Sequence, residues 1–226
     1  MRGQPLTLLR SYLDMRERVQ SRSAARALLE AAVADHLSAA TVFRGDIGLG
    51  RSRIVRAYMS EVQLDSLPLL VQVADTRERI ERFVDSRAEL FSGHLTTLEN
   101  IWVVHLAGQQ LQPELVDELP AGRPQCLLRV FFNDDLVVEG ESFASAVADQ
   151  LGERVMATMV LTAVEGFGAH RQLHRGTVFH PDRGLPVMMS ILCGDPESAD
   201  AALSAVLALS TGVTVTAESV SLSVNV

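Results

Sequence analysis

Cysteine is scarce in this chain, with 2 in 226 residues, Cys126 and Cys193, and neither belongs to a paired motif. That scarcity excludes a disulfide-stapled scaffold, and with no secretory signal at Met1-Arg2-Gly3 it predicts a reducing, cytoplasmic compartment. No apolar run approaches the roughly 20 residues that a membrane-spanning helix needs, which predicts a soluble chain without direct membrane insertion. Basic charge is not in excess either. The 20 Lys and Arg stand against 28 Asp and Glu, a net charge of −8, so general binding to nucleic acid or to an anionic membrane is not expected. Walker and Rossmann fingerprints are absent, as are a nucleophile with a base at usable spacing and paired carboxylates in a recognisable frame. The chain therefore reads as a non-enzymatic protein.

What the sequence does contain is an internal repeat. Gly48-Leu49-Gly50-Arg51-Ser52-Arg53 followed by Leu67-Pro68 returns as Gly166-Phe167-Gly168-Ala169-His170-Arg171 followed by Leu185-Pro186. Both landmarks keep one offset, 166 − 48 = 118 and 186 − 68 = 118. An apolar run precedes each Gly-x-Gly and another follows each Leu-Pro, so each copy reads as strand, long loop, strand.

The remaining elements fall into the same order in each half. Leu6 to Leu13 suits a strand, and Ser21 or Ser23 can cap an Ala-rich helix reaching about His36. After the Gly-x-Gly and the Arg51 to Ser66 loop, Leu67 to Ala74 is a strand. Thr76 caps a second helix, Ser92-Gly93 stops it, and Ile101 to Leu106 is the fourth strand. The second half offers a strand at Cys126 to Phe132 and a helix at Ser142 to Leu151. Strands follow at Ala157 to Val164 and Val187 to Cys193, then a helix opened by Asp195-Pro196-Glu197. The chain closes in a strand with Val220, Leu222, Val224 and Val226 in period two. Two β-α-β-β-α-β units predict an α+β protein of two tandem ferredoxin-like sandwiches, residues 1–106 and 125–226. Residues 107–124 form a Pro- and Gly-rich linker with at most one helical turn, at Glu114 to Leu119. Strands apolar on both faces predict that the sheet face away from the helices is covered by another copy.

The candidate binding residues cluster at the two loops. Gly48, Gly50, Gly166 and Gly168 permit the close backbone approach that a phosphate cradle needs, and a plain turn at a strand end needs the same. Arg51, Arg53 and Arg56 offer forked donors to an anion, although on an extended segment only the first two share a face. The second loop is denser in cations, with His170, Arg171, His174, Arg175, His180 and Arg183. His170 and His174 stand roughly 13 Å apart on a strand at about 3.3 Å per residue, and neither has a Cys or carboxylate at ligand spacing, so no metal is expected. Cys126 and Cys193 fall on strands expected to be neighbours and read as buried, reduced thiols. His94, His105 and Trp102 read as structural or surface residues, and Glu99 and Glu218 occupy matching places, 218 − 99 = 119, near the start of each last strand.

The order and spacing of these motifs resemble those of the PII signal-transduction proteins. Val164-Glu165-Gly166-Phe167-Gly168 with Gly184-Leu185-Pro186 carries the likeness in the second half. Ala39-Ala40-Thr41-Val42-Phe43-Arg44-Gly45, Gly48-Leu49-Gly50, Leu67-Pro68 and Val73-Ala74-Asp75 resemble an uncharacterised PII-like branch of bacterial domains of unknown function. The resemblance implies a homo-oligomer, a trimer favoured, with a small anionic effector such as an adenine nucleotide held between domains. It also implies that the long loops regulate a partner such as a membrane transporter or ion channel, small fluoride exporters among them. The Gly-rich segment ending in Lys that holds phosphates in PII proteins reads here Ser92-Gly93-His94-Leu95-Thr96-Thr97 and Thr211-Gly212-Val213-Thr214-Val215-Thr216. Only Gly93 and Gly212 match. The alternatives are a small ferredoxin-like enzyme with an inter-domain pocket and a ligand-free assembly or docking module.

Overall fold

Strand, helix, strand, strand, helix, strand is the order of long elements in both halves of the computed structural model. It describes residues 2–45, 47–49, 55–57, 67–109, 111, 117–118, 125–167, 174–175 and 185–220. The first half runs β1 (Arg2–Asp14), α1 (Ala24–Ala34), β2 (Ala39–Arg44), β3 (Pro68–Asp75), α2 (Arg77–Ser86) and β4 (Leu95–His105). The second half runs β5 (Gln125–Asn133), α3 (Phe143–Leu151), β6 (Ala157–Phe167), β7 (Pro186–Cys193), α4 (Pro196–Leu209) and β8 (Thr214–Val220).

These strands do not form two separate sandwiches, which corrects the expected fold class. The hydrogen-bonded order is β6-β7-β5-β8-β4-β1-β3-β2, and β6 pairs with β2 as well, so the eight strands close into one antiparallel barrel. The strands that would be free edges of two stand-alone sheets are both taken. Along β2, Ala40, Thr41, Val42 and Phe43 face Phe167, Gly166, Glu165 and Ala163. Along β4, Trp102, Val103 and His105 face Ala217, Thr216 and Val215. Pairing is what an edge strand's open row of N–H and C=O groups favours. Apolar periodicity shows which face of a strand is buried and is silent about which strand takes its edge. At the start of β1 the strands approach so closely that a Cβ on Gly3 would lie 2.7 Å from the Trp102 Cβ and 3.2 Å from the Val103 carbonyl oxygen.

Contacts divide the chain into unit 1, Met1–Leu6 with Asn100–Thr162 and Pro186–Val226, and unit 2, Thr7–Glu99 with Ala163–Leu185. In unit 1 the helices α3 and α4 bury Phe143, Val147, Ala202 and Val206 against Leu128 and Val130 of β5, Met189 and Ile191 of β7, and Val215 of β8. In unit 2, Leu28 and Leu29 of α1 and Ile80 and Phe83 of α2 pack on Leu9, Val42, Val71 and Val73. Phe167 joins that second cluster, so the middle residue of the second Gly-x-Gly fills the core beneath helices from the first repeat.

Helix starts follow the chemistry of their caps. Asp195 and Ser198 form a reciprocal capping box ahead of α4, with Pro196 in its first turn. Ser142 caps α3, its Oγ accepting from the Ser145 amide at 3.2 Å. Thr76 precedes α2 without a side-chain cap, and its amide donates to Asp75 Oδ1 at 2.7 Å. The same buried Asp75 accepts from the Ser38 amide and hydroxyl and pairs with Arg79. Ser142→Ala is therefore expected to cost about 1 kcal/mol, the usual value of a lost cap, and Thr76→Ala close to nothing. Urea unfolding of both variants checks this; equal losses would show that the caps do not differ.

Several boundaries move. The strand expected to start at Ile101 begins at Leu95, because α2 ends at Ser86 and a short 3-10 turn, Ala88–Phe91, leads to Gly93 at φ +96°. In the linker, Asp117–Glu118 is extended and pairs with Arg2 and Gly3 instead of turning as a helix. Within the Arg51 to Ser66 segment, Val55, Arg56 and Ala57 pair with Leu49, Gly48 and Ile47. Of the closing strand expected over Val220 to Val226, only Val220 falls within the described residues, as the last residue of β8.

Candidate functional site

Of the glycines picked out by the repeat, Gly48 and Gly166 lie in strands ahead of the basic segments. Gly48 faces Arg56 across a short ladder. Gly166 is buried in β6, opposite Thr41 of β2 on one side and His174 on the other. Gly50, Arg51, Arg53, Gly168, His170 and Arg171 lie outside the described residues. Gly93 sits in unit 2 in the left-handed region, with open space where a side chain would stand. Gly212 belongs to unit 1, its amide donating to Ser210 Oγ at 3.1 Å.

Alternation along the strands separates the helix side of the sheet from a polar face. In β1, Leu9 and Leu13 enter the unit 2 core, which sends Leu8, Arg10 and Tyr12 to the face away from the helices. In β5, Leu128 and Val130 enter the unit 1 core, which sends Arg129 to the corresponding face. Each Arg meets a Glu within its repeat's last strand, Glu99 in β4 and Glu218 in β8. Arg129 forks onto Glu218, Nη1 to Oε2 at 2.6 Å and Nη2 to Oε1 at 2.7 Å. Arg10 reaches Glu99 with Nη1 alone, 3.1 Å from Oε1 and 3.0 Å from Oε2, while Thr97 Oγ1 donates to the same carboxylate. The two pairs are repeat mates, 129 − 10 = 119 and 218 − 99 = 119.

These pairs are the part of the site that sequence reading missed. Glu99 and Glu218 stood out by their common offset, but their partners did not, because an Arg inside an apolar strand reads as a break in the pattern. The shared offset of 119 in Arg10 and Arg129 was the available signal.

The other candidates take structural places. Cys126 and Cys193 face each other across β5 and β7, both free and buried. Burial pushes the Cys126 thiol up to about 11 and the Cys193 thiol up to about 12, far from a reactive thiolate. His105 Nε2 lies 2.9 Å from the Thr211 carbonyl oxygen. Trp102 is half-buried in β4 opposite Ala217. Among the described residues no group of three or more His, Cys, Asp or Glu is placed to hold a metal ion, and no helix is long and apolar enough to cross a membrane.

Among the described residues, His94 is the one buried histidine side chain with a stranded nitrogen. Its side chain is 2% exposed, Nδ1 lies 3.5 Å from Glu17 Oε2, and Nε2 has no hydrogen-bond partner. Burial holds its pKa below the usual 6.5. The folded state then resists the proton that the unfolded chain accepts near 6.5, so stability is full above that pH and is lost as pH falls toward the depressed value. The Glu17 carboxylate opposes part of that loss. Urea unfolding at pH 7.5 and 5.5 is expected to show a drop that shrinks in His94→Gln; an equal drop in both proteins refutes it.

The duplicated segments coincide with a known family. Its model, described as "DUF190: Uncharacterized ACR, COG1993", matches residues 6–103 and again 125–222. The chain belongs to the DUF190 family. It carries that family's domain twice, as the repeated Gly-x-Gly required. A curated relative, a UPF0166 protein of Aquifex aeolicus (strain VF5), is 33% identical over 99 residues, which is 44% of this chain and 93% of that protein. Among solved structures, an unknown protein from Galdieria sulphuraria aligns over 97% of this chain and 99% of its own, at 14% identity and a TM-score of 0.26. A protein titled a putative monooxygenase from Fusobacterium nucleatum aligns over 89% and 81%, at 8% identity and a TM-score of 0.29. Scores that low carry no argument about fold or activity.

Proposed function

We propose that this DUF190 protein is a PII-like, non-enzymatic regulator that binds a small anionic effector, an adenine nucleotide in the first instance. It signals through the basic segments after its two Gly-x-Gly motifs to a partner such as a transporter or ion channel. The observation that supports this reading most is the placement of Gly166. A buried glycine in the ladder between Thr41 and His174 starts a segment that concentrates Arg and His in a chain of net charge −8. Backbone bared by glycine beside forked Arg donors suits a phosphate or carboxylate. The phosphate-holding Lys of PII proteins has no equivalent, since the sequence contains no lysine, and Arg takes over that role. Self-association as a homotrimer belongs to the same reading and rests on the resemblance to PII proteins.

Calorimetric titration with ATP, ADP, AMP and cyclic nucleotides tests the effector, with light scattering to follow the oligomer. Heat is expected for at least one nucleotide, and weaker binding when Arg51 and Arg53 are replaced by Ala. Absence of heat for all of them, from an intact oligomer, overturns the nucleotide reading.

A further inference from the structure

One edge of β6 is covered along only part of its length. Over residues 163–167, in unit 2, that edge carries β2, and Ala40, Thr41, Val42 and Phe43 of β2 are buried. Over residues 157–162, in unit 1, β6 pairs with β7 on one edge, and among the described residues nothing pairs with the other. Residues 156–160 are all exposed, Met156 at 55%, Met159 at 54% and Val160 at 45%.

Residues 157–162 are the repeat mates of β2, 157 − 39 = 118 and 162 − 44 = 118, so one place in the domain is closed in the first copy and open in the second. In the first copy the cover is an antiparallel strand from another copy of the same domain. β2 is already spent on β3 and β6, so it leaves no edge for residues 157–162. A second chain offers what β2 does not, an identical and equally open strand.

The composition of this edge invites pairing. Met156-Ala157-Thr158-Met159-Val160-Leu161-Thr162 holds no charged residue and no proline, in a chain of which 21% is Asp, Glu, Lys or Arg. Charge and proline are the usual means of keeping a free edge from pairing. Val160 stands opposite Met189 of the unit 1 core, so it lies at the open rim of that core, where an apolar side chain from a further strand extends it. Charges resume at the two ends, Arg154 before the run and Glu165 after it. An antiparallel partner brings the Arg154 end of one copy to the Glu165 end of the other, whereas a parallel partner sets like charges together.

We infer that residues 157–162 form a docking edge for the same residues of a second copy of this chain, paired antiparallel about a two-fold axis. The ladder is bounded at residue 163, where β2 takes the edge. This inference stands apart from the effector reading. Two-fold pairing gives a dimer, or joins trimers in pairs, so the assembly holds an even number of chains.

Light scattering and sedimentation over a concentration series test it on the full chain, on a Met159→Lys and Val160→Lys double variant, and on Val137→Lys as a control at an exposed apolar residue elsewhere. A thermal melt of each protein checks folding. The parent mass is expected to be that of an even number of chains, halved in the double variant and unchanged in the control. Amide hydrogen exchange of the parent protein needs no variant and decides the matter if the double variant fails to fold. Protection of residues 157–162 is expected at high protein concentration and is expected to fall on dilution. A parent of odd chain number, a mass that survives the double variant, or protection independent of concentration overturns the docking edge. A trimer unchanged by the double variant does so while leaving the proposed function standing, and a monomeric parent removes the trimer from that function as well.

Discussion

Arg129→Met is expected to lower the free energy of unfolding by about 3–5 kcal/mol, because it strands the Glu218 carboxylate where both side chains are nearly closed to water. The loss is that of an uncompensated buried charge, and the worth of the intact pair is much smaller. Desolvating two ions offsets most of their attraction, so Arg129→Met with Glu218→Leu together should recover most of the deficit. Arg10→Met should cost clearly less than Arg129→Met, since Glu99 is more exposed and Thr97 still donates to it. Urea unfolding of Arg129→Met, Glu218→Leu, Arg10→Met and the Arg129/Glu218 double variant decides the matter. An Arg129→Met loss under about 1 kcal/mol, or a double-variant loss equal to the sum of the Arg129→Met and Glu218→Leu losses, would falsify the account.

Phe143→Ala should cost a similar amount, about 3–5 kcal/mol, by a different route. Phe143 is fully buried between α3 and the sheet, with its ring centroid 4.9 Å from that of Phe132 in an edge contact. Truncation removes the transfer energy of the ring, leaves a cavity in a close-packed core and ends the ring-to-ring contact. Val137→Ala serves as the comparison, because Val137 is exposed and its change should stay within about 0.5 kcal/mol. Thermal and urea unfolding measure both; a Phe143→Ala loss near that of Val137→Ala rules the core assignment out.

Local chemistry made much of this structure legible in the sequence. The duplication shows in the offset of 118, and the family matches fall on both copies. Asp195-Pro196-Glu197 announced α4, and Ser142 announced α3, because capping is decided within four residues. Closure of the sheet was not legible. It depends on which edges meet, and nothing in the alternation of β2 distinguishes a free edge from one paired to β6. For the same reason Phe167 looked like a loop residue: its burial comes from β2 and the core beneath α1, elements more than a hundred residues away. Glu99 and Glu218 showed only their matching places until the fold set an Arg beside each.

The pairing of β2 with β6 has a consequence for synthesis on the ribosome. Phe43 meets Ala163, a separation of 163 − 43 = 120 residues. At about 5–20 residues per second the first repeat waits roughly 6–24 s for the segment that completes it. During that interval β2 presents an open backbone edge, and the pocket beneath α1 and α2 lacks Phe167. A stop codon after residue 106 should therefore yield an aggregation-prone fragment, although the sequence has by then spelled out a whole family domain.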